Sequence, residues 1–84
     1  MIINKYVCTL GPKNELHVTL PIDAVVRDFW NQSGTVFCYA TTNGAKSTHD
    51  VKFIAARSGD TVPNATPMAG SFKLTNIFHV FGPV

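Results

Sequence analysis

The sequence predicts an all-β protein, a small antiparallel sandwich or open barrel of six to seven strands. Three observations carry this. Runs such as Leu16-His17-Val18-Thr19-Leu20, Val36-Phe37-Cys38-Tyr39-Ala40 and Val51-Lys52-Phe53-Ile54-Ala55 alternate with the period of a strand. Turn residues separate these runs at short intervals. No window carries an apolar stripe at i, i+3, i+4, i+7 long enough for a helix.

In order along the chain, the first strand runs from Ile3 to Leu10, with Tyr6, Cys8 and Leu10 on one face. Gly11-Pro12-Lys13-Asn14 is a turn, because Pro presets φ while Gly and Asn tolerate positive φ. The second strand, Glu15 to Leu20, turns Leu16, Val18 and Leu20 inward and His17 and Thr19 outward. Pro21-Ile22-Asp23 breaks the run. The third strand, Ala24 to Asn31, sets Val25, Arg27 and Phe29 on one face and Val26, Asp28 and Trp30 on the other. Each face holds a large aromatic, so both are expected to be covered, one of them by a neighbouring chain.

Asn31-Gln32-Ser33-Gly34 reads as a hairpin turn. The fourth strand, Thr35 to Thr42, puts Val36, Cys38 and Ala40 on one face and Phe37 and Tyr39 on the other. Asn43-Gly44 is the strongest short hairpin signal in the chain, although the loop it opens runs on to about Thr48, and the fifth strand spans Asp50 to Arg57. Ser58 to Gly70, with Gly59, Pro63 and Pro67, is one long irregular segment. A last hairpin pairs Ser71–Leu74 with Ile77–Phe81 across Thr75-Asn76. Consecutive hairpins make most strand pairs sequence neighbours.

The 84 residues make a single domain, 1–84. So short a chain buries a modest share of its surface, and only 14% of its residues are charged. Neutral apolar surface on a small β-protein is expected to meet another copy, which predicts a homo-oligomer. The net charge of +2 comes from scattered basic residues, too weak a footprint for nucleic acid. No apolar run reaches a membrane span, and the start, Met1-Ile2-Ile3-Asn4-Lys5, lacks the pattern of a signal peptide, so a cytoplasmic location is expected.

Cys8 and Cys38 fall inside predicted strands and read as buried small apolar residues. His17, His49 and His79 fit no compact zinc spacing, so neither a metal nor a cofactor is expected. A nucleophile beside a base can be drawn as Cys38 with His79, or Ser58 with Asp60. Neither sits in a nucleophile motif, and the chain reads as a non-enzyme.

Binding chemistry is better represented. In Arg57-Ser58-Gly59-Asp60-Thr61, glycine lets backbone approach a ligand. Successive amides can form an anion-holding nest, and arginine presents a planar fork suited to phosphate. Most aromatics must fill the core, but Trp30 and Tyr39 lie on strands whose other face is also apolar, which frees them to stack on a base.

The order Ile3-Asn4-Lys5-Tyr6, Leu20-Pro21, the turn and strand Gly34 to Ala40, Arg57 to Pro63, Gly70-Ser71-Phe72 and Phe78-His79-Val80-Phe81 resembles a family of very short bacteriophage and prophage proteins. Members begin with a Lys-Tyr strand and end in a His-Val-Phe strand. The resemblance covers almost the whole chain and implies a phage origin, hence the host-cell cytoplasm, without implying an activity. One departure is Ser58-Gly59-Asp60-Thr61, where the family shows a Gly-Thr-Gly-His type of loop. The functional expectation is a non-catalytic accessory protein that counters host defence by sequestering a small nucleotide signal at subunit boundaries of a homo-oligomer. The alternatives are an inhibitor that binds a host enzyme through a β-edge or the Ser58–Gly70 loop, and a minor virion component.

Overall fold

Eight strands and a single-turn 3-10 helix build the molecule, and the computed structural model describes all 84 residues. The strands are β1 (Ile2–Val7), β2 (Thr9–Leu10), β3 (Glu15–Pro21), β4 (Val25–Gln32), β5 (Thr35–Thr42), β6 (Thr48–Ala56), β7 (Met68–Lys73) and β8 (Ile77–Phe81), with the 3-10 turn at Pro12–Asn14. They form two antiparallel sheets, ordered β1-β5-β4 and β2-β3-β6-β8-β7. The all-β sandwich expected from alternation is therefore present.

The count of eight, rather than six or seven, comes from the first strand. Val7 pairs with Phe37 in the smaller sheet, and Thr9 pairs with His17 in the larger one. Cys8 lies between them, and its amide still donates to the Val36 carbonyl at 2.8 Å. One extended segment thus passes from sheet to sheet at Cys8. Burial follows the crossing: Cys8 is buried and Tyr6 half-buried, whereas Leu10 at the strand's end is exposed.

The expectation that most pairs are sequence neighbours fails for half of them. β2–β3, β4–β5 and β7–β8 are local, but β1–β5, β3–β6 and β6–β8 are not. The chain leaves the smaller sheet after β1, returns to it for β4 and β5 and re-enters the larger one at β6, which separates β1 from β5 and β3 from β6; between β6 and β8 comes only β7, the edge strand of their own sheet. Asn43-Gly44 therefore closes no hairpin, because β5 and β6 lie in different sheets.

Between the layers, Leu16, Val18 and Leu20 of β3 face Val36, Cys38 and Ala40 of β5, all buried. These are the inward sets read from alternation. Phe29 meets Phe53 edge-to-face at 5.3 Å, and Phe72 stacks on its strand partner Phe78 at 5.2 Å. Each buried phenyl ring contributes about 1.5–3 kcal/mol through area removed from water. Contact with the Cys38 thiol, together with burial, raises the pKa of Cys8, so the pair behaves as small apolar filling.

The two faces predicted for the third strand are corrected by a bulge. Val26 pairs with Ala40 and Asp28 with Tyr39, leaving Arg27 without a partner. The extra residue flips the parity: Val25 and Trp30 point outward, 50% and 58% exposed, while Val26 and Phe29 pack inward. Within the chain, the Trp30 face is open. The turn that follows is as expected. Ser33 and Gly34 have φ of 52° and 87°, a two-residue type I′ hairpin, and Asn31 accepts the Gly34 amide at 2.9 Å.

Several bounds shift by a few residues. β6 starts at Thr48 rather than Asp50, and β7 starts at Met68, inside the segment expected to be irregular. The edges of the two sheets, β4 and β7, lie side by side without backbone pairing. The Asn31 side chain spans that seam, donating to the Lys73 carbonyl at 2.8 Å. Gly70 lets the strands approach, since a Cβ there would stand 3.0 Å from the Phe29 ring.

Candidate functional site: a trough across the hairpin end

The Arg57 segment folds as a β-turn. The Asp60 amide donates to the Arg57 carbonyl at 3.0 Å, and Gly59 takes φ of 95° at the third position, as a type II turn requires. No atom lies within 4 Å of a Cβ built on Gly59, so the glycine serves the turn itself.

The Asp60 carboxylate fills the turn. It accepts the Arg57 amide at 2.9 Å and the Asn14 side chain at 3.4 Å, and it lies 3.8 Å from Arg57 Nε. An internal carboxylate thus takes the Arg57 amide, one of the amides in the segment expected to form an anion nest. What the turn offers outward is the half-exposed guanidinium.

Arg57, Ser58 and Asp60 line a cavity of about 690 Å³ with Lys73, Thr75, Asn76, Ile77 and His79. A second cavity of about 430 Å³ lies at the seam, lined by Asp28, Phe29, Trp30, Asn31, Ser71, Phe72, Lys73 and Ile77. Lys73 and Ile77 line both, so the two cavities adjoin on either side of that pair, and together they are called the trough. It crosses β4, β7, β8 and the end of β6 in turn. Trp30 stands at one end and Arg57 with His79 at the other, and Lys73 and Ile77, paired across β7 and β8, form the middle.

The structure thus brings Trp30, Arg57, Ser58 and Asp60 together and leaves three expected residues outside. Tyr39 is half-buried on the outer face of the smaller sheet, flanked in register by Lys5 and Asp28, and does not line the trough. Gly59 sits behind it. Thr61 lines a separate depression with Lys13 and Asn14. The sequence reading missed Lys73, Ile77 and His79. Alternation in the last hairpin carried the signal, since it opposes these three to the buried Phe72, Phe78 and Val80.

The other constellations come apart. His17 on β3 lies 3.4 Å from Glu15, His49 stands near the start of β6 and His79 on β8. Cys38 is fully buried on β5, while His79 is exposed on the outer side of β8. Asp60 is engaged with Arg57 and Asn14, and no hydrogen bond joins it to the Ser58 hydroxyl.

The lining offers an aromatic ring at one end, Ile77 in the middle and two cations, Lys73 and Arg57, with the carboxylates of Asp28 and Asp60 beside them. A flat ligand with an anionic group thus meets Trp30 and the cations while its charge competes with those carboxylates. No family model, no curated protein and no solved structure matches this chain.

Proposed function

We propose that the protein is a non-catalytic binder that sequesters a small nucleotide in this trough. The observation that carries the reading is the shared wall of Lys73 and Ile77, which joins the stacking end to the cationic end. A base stacks on Trp30, the sugar lies over Ile77, and phosphates meet Lys73 and then Arg57. Cyclic dinucleotide and ADP-ribose-type ligands, which carry a base and more than one phosphate, are the candidates for two adjoining cavities.

The binder works as a homo-oligomer. Ile3, Val7 and Val25 are 50–61% exposed on the outer face of the β1-β5-β4 sheet, beside Phe37 and Tyr39. Trp30 belongs both to that face and to the trough, so a second copy docked there would wall the trough's open side. The role is that of an accessory protein that withdraws a signal from host defence; the sequence resemblance supports the phage origin.

Thermal-shift measurements across a panel of cyclic and ADP-ribose-type nucleotides test the reading. A ligand at about a hundred times its Kd adds about 2.7 kcal/mol, a rise on the order of 10 °C for a domain of this size. Absence of any shift at millimolar ligand discards the proposal. Light scattering tests the oligomer, with a mass above the 9.1 kDa monomer expected.

A further inference from the structure

The larger sheet has a second opening, lined by other residues than the trough. β8 pairs with β6 only over residues 54–56, so the first part of β6 has β3 on one side and no strand on the other. The chain shows what this edge accepts. After β8, the segment 82–84 stays beside β6, and the Val84 amide donates to the Lys52 carbonyl at 2.8 Å. In an antiparallel ladder, alternate residues turn both backbone groups to the same side. The Lys52 carbonyl points away from β3, so the backbone groups of Thr48 and Asp50 point the same way, and no strand meets them.

This edge borders an apolar cleft of about 560 Å³ with walls that include Ile22, Val25, Val51, Ala69 and Val84. No residue of the trough lines it. Open backbone groups beside apolar walls are the two halves of strand addition: the ladder gives affinity, and pockets for alternate side chains give selectivity.

We infer that the first half of β6 takes an extended segment of a partner protein, with apolar side chains at alternate positions, as an added strand that continues the line of β8. Such a segment satisfies Asp50 and Thr48 and seats its apolar side chains against Val25 and Val51. The β1 edge of a second copy fits poorly. That strand alternates Ile3-Lys5-Val7 on one face and Ile2-Asn4-Tyr6 on the other, and either face would bring a polar group into the cleft.

The probe is a capped Thr-Val-Thr-Val-Thr-Val peptide, titrated into isotope-labelled full-length protein and followed by NMR. Saturable shifts are expected at the amides of residues 48–52, with Ile22 and Val25 following. Asp50→Pro removes an outward donor at an edge position where proline is tolerated, and Ile22→Glu places charge on an exposed wall. Each is expected to weaken binding about tenfold. The same peptide N-methylated at alternate residues is expected not to bind. If no shift occurs at millimolar peptide, or the N-methylated peptide binds equally well, the inference is overturned. A concentration-dependent dimer that Asp50→Pro abolishes would overturn it in favour of a second copy.

Discussion

Arg57 and Asp60 set the chemistry of the trough by their opposition. Asp60 holds the turn in shape, yet its carboxylate competes with any phosphate for the same guanidinium. Arg57 is half-exposed, so its pair with Asp60 contributes little to stability. Arg57→Ala is expected to weaken nucleotide binding while leaving Tm within a few degrees. Calorimetric titration beside a melting curve checks this, and a large fall in Tm would make Arg57 structural. Asp60→Asn should act the other way. It keeps an oxygen to accept the Arg57 amide but removes the competing charge, so nucleotide binding should tighten a few-fold. Asp23 shows the same kind of capping elsewhere. The Thr42 hydroxyl and the Asn43 amide both donate to its carboxylate and lower its pKa below the ordinary aspartate value. A lowered folded-state pKa gives stability that is present above the unfolded value and lost as pH falls through the folded one. Below about pH 4 the Tm should therefore fall more steeply for the native chain than for Asp23→Asn.

Strands and turns were unevenly legible. β3 and β5 read directly, because Leu16, Val18 and Leu20, and likewise Val36, Cys38 and Ala40, keep strict period two against one core. The Ser33-Gly34 turn was equally plain, since few residue pairs accept two successive positive φ values. The bulge in β4 left no local mark. Val25-Val26-Arg27-Asp28 is as good a regular strand as a bulged one, and only pairing with Ala40 and Tyr39 reveals the extra residue. The trough was half legible for a related reason. Trp30 and Arg57 drew notice by residue type, but the Lys73–Ile77 pair that joins them depends on β7 lying beside β4. Two glycines measure these element-level demands. Gly34→Ala meets open space but strains φ, costing about 1–2 kcal/mol. Gly70→Ala sets a methyl 3.0 Å from the ring of fully buried Phe29, which has little room to yield. Denaturant melts should show the larger loss for Gly70→Ala, together with disturbance of the Trp30 end of the trough.

At the scale of the molecule, the two proposed surfaces divide the work by position. The trough lies across the hairpin end of β7 and β8, and the open half of β6 lies toward the C-terminal segment. Neither could be read from composition, because both arise where sheets end rather than where strands run. The non-local pairs β1–β5 and β3–β6 also bring together residues 27 to 40 positions apart, so milliseconds to seconds is the expected refolding time. The passage of backbone from layer to layer at Cys8 has one more consequence. A thread common to both layers denies either one the freedom to melt while the other holds. In deuterium-exchange experiments, amides of Cys38 and Val18 should therefore open with a common free energy, as parts of a single cooperative unit rather than as two foldons.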